Sequence, residues 1–73
     1  MTWNHRVIRR VNEQGEEYYA IHEVYYNEDN EPHMVTEEAV SPFGETLEEL
    51  EQDMEWFIKA MRHPVLNYEE IRE

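Results

Sequence analysis

Two histidines are the side chains best suited to chemistry in this sequence. His5 and His22 lie in neighbouring segments that are rich in β-branched and aromatic residues and are typical of paired strands. In the pairing assumed below they share one sheet face diagonally, within reach of a common metal ion. A zinc site takes three or more protein ligands, and no third ligand stands beside this pair. We therefore expect no metal site and no cofactor.

Two short motifs resemble metal sites but have the wrong geometry. The segment His22-Glu23-Val24-Tyr25-Tyr26 begins like the H-E-x-x-H motif of zinc proteases, but its fifth residue is tyrosine and the segment is typical of a strand. After Asn27, three carboxylates stand at calcium-loop offsets, but Pro32 occupies the position where such a loop needs glycine. These carboxylates are Asp29, Glu31 and Glu38. We interpret both matches as chance.

The sequence offers no nucleophile in a catalytic setting. It contains no cysteine, and its only serine, Ser41, precedes Pro42 in a predicted turn. Neither a G-x-S-x-G elbow nor a glycine-rich phosphate loop occurs. The sequence therefore predicts a protein that is not an enzyme.

The chain is strongly acidic, with 18 acidic and six basic residues and a net charge of -12. Such a charge repels nucleic-acid phosphates and anionic membranes, so we expect neither as a direct partner. No signal peptide and no run of about 20 apolar residues is present, which favours a cytoplasmic protein.

Three of these acids lie along one side of a predicted helix, namely Glu48, Glu51 and Glu55. Their spacing places a carboxylate every ~4.5 to 6 Å along the helix. A line of carboxylates can imitate a phosphate backbone and occupy a basic surface. The alternative is that these residues only cap and solvate the helix.

The elements that position these residues follow from the pattern. Strands are predicted over about 3–11, 17–26 and 33–40, with Gly15 in the first turn and Asn30 in the left-handed conformation in the second. Pro42 and Gly44 end the sheet. A helix over about 46–62 begins with the capping box of Thr46 and Glu49. The predicted fold is α+β: one domain over 1–73, with a three-stranded antiparallel meander, one amphipathic helix on one sheet face and an unassigned tail at 63–73.

The helix carries one apolar stripe that we expect to pack on the sheet, comprising Leu47, Leu50, Met54, Phe57, Ile58 and Met61. Trp56 lies roughly 150° from the centre of this stripe. Either the tail folds over Trp56 through Val65, Leu66 or Tyr68, or Trp56 and Ala60 anchor a protein interface.

The hairpin has more apolar surface than one helix covers. If Glu13 pairs with Glu16 across the first turn, the uncovered face includes Tyr19, Ile21 and Tyr25. We predict that this patch binds a second copy or another protein. A one-residue shift in register exchanges the two faces. The only basic cluster, which is Arg6, Arg9 and Arg10, either neutralises acids within the sheet or meets the acidic helix of a second subunit.

The segments Trp3–Arg9, Tyr19–Tyr26, Gly44–Leu50 and Pro64–Leu66 resemble a family of small bacterial proteins of uncharacterised function. This resemblance implies a shared fold and no particular activity. The meander followed by Gly44–Leu50 and an amphipathic helix is also similar to the N-terminal, toxin-binding part of HicB antitoxins.

From the sequence we therefore predict a non-enzymatic, acidic protein-interaction module that forms a homodimer. The alternative is an acidic inhibitor that neutralises a basic nuclease or toxin, or that mimics nucleic acid.

Overall fold

The computed structural model describes residues 2–71. The elements are β1 (Thr2–Val11), β2 (Glu17–Tyr26), β3 (Pro32–Val35), α1 (Leu47–Ala60), β4 (Leu66–Asn67) and α2 (Tyr68–Ile71). The strands form one sheet in the order β3-β2-β1-β4, in which β4 is parallel to β1 and the other pairs are antiparallel. The α+β class is confirmed, while the sheet is mixed and has a fourth strand.

The first turn sets a register one residue away from the predicted one. Asn12, rather than Glu13, pairs with Glu16, because the Asn12 N–H donates to the Glu16 carbonyl at 2.9 Å. The loop therefore has three residues and ends in Gly15, at φ 82°. The Asn12 carboxamide oxygen accepts the N–H groups of Gln14 and Glu16, which fixes this turn.

This register decides which residues share a face. Residues of β1 and β2 with even numbers lie on one side of the sheet, the even face, and those with odd numbers on the other, the odd face. His22 thus lies opposite Arg6, and Ile21 lies opposite Val7. The predicted pairs, such as Ile8 with Ile21, are wrong by one residue.

The second turn repeats the construction of the first. Asn27 bonds to Glu31 through the backbone at 3.0 Å, and its carboxamide oxygen accepts the N–H groups of Asp29 and Glu31. Asn30 takes the left-handed conformation at φ 60°, as predicted. The third strand is shorter than predicted and ends at Val35, although the N–H of Val40 still donates to the carbonyl of Ile21 at 2.9 Å.

Helix α1 begins where the capping pattern predicts. The Thr46 hydroxyl accepts the N–H of Glu49 at 3.1 Å. The Glu49 carboxylate accepts the N–H of Glu45 at 3.0 Å, one residue before the position of an ordinary capping box. Residue Met61 caps the other end, so the helix is slightly shorter than the predicted 46–62.

The tail supplies the fourth strand and a second helix. Strand β4 pairs with β1 through Ile8 and Leu66, and α2 buries Ile71 against Ile8 and Val24 on the even face. Helix α1 packs on the odd face, where Phe57 lies against His5. A helix therefore packs on each face of the hairpin, α2 on the even face and α1 against β1 on the odd face, so neither face is left entirely without a covering element, whereas the prediction required one such face.

Three arginines of β1 hold the tail in place. Arg6 is buried and donates to the Pro64 carbonyl at 2.7 Å, while Arg9 donates to the Asn67 side chain at 3.5 Å. The Arg10 guanidinium lies 3.8 Å from the centre of the Tyr68 ring. Arg9 also pairs with Glu17, whose pKa it lowers by hydrogen bonding and by charge. The predicted basic cluster is therefore used within the monomer.

Candidate binding surfaces

Helix α1 turns only part of its apolar stripe toward the sheet. Phe57 and Ala60 are buried, and Leu50 and Asp53 are half-buried on the same side. These four positions recur at intervals of three and four residues, so they share one helix face. The centre of the sheet-facing side lies between Asp53 and Phe57. It is about 90° around the helix axis from the centre of the other apolar residues of the predicted stripe.

Those remaining residues form an exposed apolar strip along α1. Leu47, Met54, Ile58 and the capping residue Met61 are between 44% and 70% exposed. They follow one another at spacings of seven, four and three residues, which is the repeat that lets one helix pack along another. A shallow depression of about 250 Å³ lies beside Ile58 and is lined by Glu55, Lys59 and Arg62 as well. The prediction that all of the stripe packs on the sheet is wrong.

Charge is divided along the strip. Glu48, Glu51 and Glu55 are exposed in the first three turns of α1, while Lys59 and Arg62 are exposed at its end. The side of α1 that flanks the strip is thus acidic at one end and basic at the other.

A second surface, the indole groove, lies on the other side of α1. It has a volume of about 420 Å³ and is lined by Trp3, Asn4 and His5 of β1 and by Asp53 and Trp56 of α1. This volume falls within the range of small-ligand sites. The two indoles are about half exposed, with 53% for Trp3 and 48% for Trp56.

Aromatic contacts hold the β1 wall of the groove. The Trp3 ring meets the His5 ring edge-on at 5.4 Å and leans on the Tyr25 ring at 6.3 Å. His5 in turn stacks on Phe57 of α1 at 4.7 Å. This chain of rings links the groove wall to the buried side of the helix, so the wall is positioned before any ligand binds.

Of the described residues, Asp53 is the only acidic one that lines the indole groove. Its Oδ2 atom accepts the N–H of Phe43 at 2.9 Å, which orients the carboxylate. A carboxylate accepts up to about four hydrogen bonds, so most of its capacity is unused. Among residues 2–71 the structure contains one ion pair, between Arg9 and Glu17, and Asp53 has no cationic partner there.

The predicted interface residues differ in how far they are exposed. Tyr19 is 59% exposed on the odd face of β2, and Ile21 and Tyr25 are half-buried on the same face. Trp56 is exposed in the groove, whereas Ala60 is fully buried and cannot anchor a partner. The tail does not account for Trp56, because Leu66 and Tyr68 pack toward the even face.

The histidine pair is separated by the sheet. His5 lies on the odd face and His22 on the even face, because the register differs by one residue from the assumed one. His22 is fully buried, and its Nδ1 lies 2.9 Å from the Thr36 carbonyl oxygen. Burial lowers the pKa of His22, and the nearby charge of Arg10 lowers it further. No group of three potential metal ligands occurs within residues 2–71.

The three glutamates of the predicted acidic face, Glu48, Glu51 and Glu55, are all exposed, and whether this face binds a partner stays a prediction. Sequence reasoning missed Asp53 and Trp3 as a pair. One signal was present: Asp53 is the only charged residue on the sheet-facing side of α1, between Leu50 and Phe57.

Within the described part of the chain, neither helix has the length and apolar character needed to cross a membrane.

No protein-family model, curated protein sequence or solved structure matches this chain. The two family resemblances inferred from the sequence therefore stay predictions.

Proposed function

We propose that this protein is a non-enzymatic interaction module that forms a homodimer through the apolar strip of α1. The observation that carries this proposal is the exposure of Leu47, Met54, Ile58 and Met61 along one line of the helix. A monomer gains nothing by keeping four large apolar side chains in water, and contiguous apolar surface of this kind marks protein contacts. Burying each of them on association contributes roughly 1 to 2 kcal/mol.

The charges of α1 favour a second copy in the antiparallel direction. In that arrangement the acidic first turns of one helix, with Glu48 and Glu51, lie beside Lys59 and Arg62 of the partner helix. A parallel arrangement places each charge beside its own copy, which is unfavourable at short range. A two-fold axis relates antiparallel helices, so the same patch serves both subunits.

The strip is a better candidate than the sheet. Helix α2 packs on the even face, and α1 packs against β1 on the odd face. The large apolar residues of the hairpin that stay exposed are divided between the two faces, and they are Trp3, Val11, Tyr18 and Tyr19. The residues of the strip, by contrast, follow one line along a single helix, and the depression beside Ile58 has the size to receive a side chain from a second helix.

Sedimentation velocity over a range of concentrations tests this proposal. The change Ile58→Glu places a charge in the middle of the strip and is expected to weaken the dimer at least tenfold. The matched control Tyr19→Glu adds the same charge at an exposed aromatic residue of β2 and is expected to leave the dimer intact. Circular dichroism checks that both variants fold.

The proposal fails if the unchanged chain stays a monomer at millimolar concentration. It fails as well if Tyr19→Glu dissociates the dimer and Ile58→Glu does not, since the sheet is then the interface.

A second candidate function is inhibition of a basic protein through the acidic face of Glu48, Glu51 and Glu55. It is supported by the exposure of these residues and by the absence of any ion pair to them among residues 2–71. Changing all three to glutamine should then abolish capture of a basic partner and remove its steep salt dependence. Capture that is indifferent to these changes and to salt contradicts this function.

A further inference from the structure

The indole groove is a preformed site with an unused carboxylate. Its walls are two half-exposed indoles, its β1 side is held by ring contacts, and Asp53 is fixed by the N–H of Phe43. It lies away from the apolar strip, because Trp56 is about 140° to 180° around the helix from the residues of that strip. The site therefore does not depend on the proposed dimer.

The chemistry of the groove selects a cation. An apolar group would remove water from Asp53 without giving it a partner, which is unfavourable. An anion would be repelled by Asp53 and by the net charge of -12. A cation is attracted by both features of the groove, since indole faces attract positive charge and the half-buried carboxylate of Asp53 can pair with it.

The Trp56 ring already attracts a cation within this chain. The Nζ atom of Lys59 lies 4.5 Å from the centre of that ring. Lys59 is not part of the groove lining and does not reach Asp53 within ion-pair distance. The carboxylate in the groove is thus left for a cation from outside the monomer.

We propose that the indole groove, formed by Trp3, His5, Asp53 and Trp56, binds the guanidinium group of an arginine side chain from a basic partner protein. A guanidinium is flat, stacks on an indole and donates two parallel hydrogen bonds to one carboxylate. An ammonium is a strongly hydrated point charge and uses only one of these two features fully. The groove thus distinguishes arginine from lysine.

The chain is well suited to a direct test, because its only two tryptophans both line the groove. The probe is N-acetyl-arginine-N-methylamide, which carries a single positive charge. Binding is followed by the two indole N–H signals in nitrogen-15 NMR spectra and by tryptophan fluorescence. The lysine analogue and the citrulline analogue, an uncharged isostere, are titrated at the same ionic strength.

Arginine is expected to bind at least tenfold more tightly than citrulline and several-fold more tightly than lysine. The change Asp53→Asn should weaken binding about tenfold, while its carboxamide oxygen still accepts the N–H of Phe43. The matched control Glu55→Gln removes the same charge outside the groove and should change the affinity less than twofold. In Trp56→Leu, the Trp3 signal should no longer respond to the probe.

Three outcomes overturn the proposal. Equal binding of citrulline shows that charge is not recognised, and equal losses for Asp53→Asn and Glu55→Gln show general attraction to an acidic protein. Tighter binding of the lysine analogue shows that the site takes an ammonium group instead of a guanidinium.

Discussion

Arg6 and His22 lie directly opposite each other in β1 and β2, and both are buried on the even face. Arg6 donates to the Tyr26 hydroxyl and the Pro64 carbonyl, and His22 bonds to Thr36. Among residues 2–71, no carboxylate pairs with either side chain. Two basic groups therefore face each other in the core without an anion, and this has a consequence for the pH dependence of stability.

We predict that the fold loses stability as the pH falls from 7 toward 5. The His22 Nδ1–H donates to the Thr36 carbonyl, so protonation at Nε2 would add a third positive charge to those of Arg6 and Arg10. Burial lowers the pKa of His22 in the folded state. At pH values below about 6.5, the ordinary pKa of histidine, the unfolded chain therefore binds more protons than the folded chain does. The contribution of His22 to the free energy of unfolding is thus fully present above about pH 6.5 and declines as the pH falls, with a limiting slope of about 1.4 kcal/mol per pH unit.

Urea unfolding at several pH values measures this dependence. His22→Asn lacks the titrating ring and should show a smaller slope between pH 7 and 5 than the unchanged chain. His63→Gln, at an exposed histidine, should keep the full slope. Parallel curves for the unchanged chain and His22→Asn would rule out His22 as the cause.

Gly44 is expected to tolerate no side chain. A Cβ atom at this position would lie 2.3 Å from the backbone nitrogen of Leu50 and 2.7 Å from the carbonyl carbon of Glu49. We predict that Gly44→Ala lowers the free energy of unfolding by about 3 kcal/mol or more, because the backbone around Leu50 would have to move.

The control is Gly15, where a Cβ atom meets nothing within 4 Å. Gly15→Ala should lower the free energy of unfolding by only about 1 kcal/mol, because of the left-handed conformation at this position. Urea unfolding compares the two, and similar losses would contradict this difference.

How far the sequence predicts this fold is shown by its two turns. Asn12-Glu13-Gln14-Gly15-Glu16 and Asn27-Glu28-Asp29-Asn30-Glu31 share one pattern: an asparagine that accepts from the backbone and a left-handed residue three positions later. A glycine in the first turn and a left-handed Asn30 in the second were predicted, but the pairing of Asn12 was not. Reading the two loops as the same turn would have given the correct register and faces.

The tail and the groove are harder to predict because they depend on tertiary contacts. Strand β4 has only two residues and α2 only four, which is too short for any periodicity. Their position depends on the contacts made by Arg6, Arg9 and Arg10. From the sequence alone, these three residues are equally consistent with an exposed basic cluster. Helix α1 was predicted from its cap, but its rotation on the sheet depends on the stacking of Phe57 on His5.

Arg6 is predicted to keep the tail on the sheet. Its two terminal nitrogens reach the Tyr26 hydroxyl at 2.8 Å and the Pro64 carbonyl at 2.7 Å, and a lysine cannot span both. Arg6→Lys should therefore cost about 2 kcal/mol, as buried polar groups lose their partners. Hydrogen exchange should quicken most for the backbone amides of residues 65–71.

The control for this experiment is Arg62→Lys, at an exposed arginine of the same chain. It should change neither the free energy of unfolding nor the exchange rates. If Arg6→Lys quickens exchange equally in the first hairpin and the tail, the contact with Pro64 has no special role.

The direction of the proposed helix pair can be tested by exchanging its charges. In an antiparallel dimer Glu51 of one subunit lies near Lys59 and Arg62 of the other. Glu51→Arg and Arg62→Glu should each weaken the dimer by creating like-charge contacts, by about 0.5 kcal/mol for each of the two symmetric sites. The double variant should recover most of this loss, because the opposite charges meet again.

In a parallel dimer each residue meets its own copy, so the two changes would act independently and the double variant would show no recovery. Sedimentation velocity at low ionic strength gives the dissociation constants, and a recovery that persists at high salt would contradict a charge-based pairing.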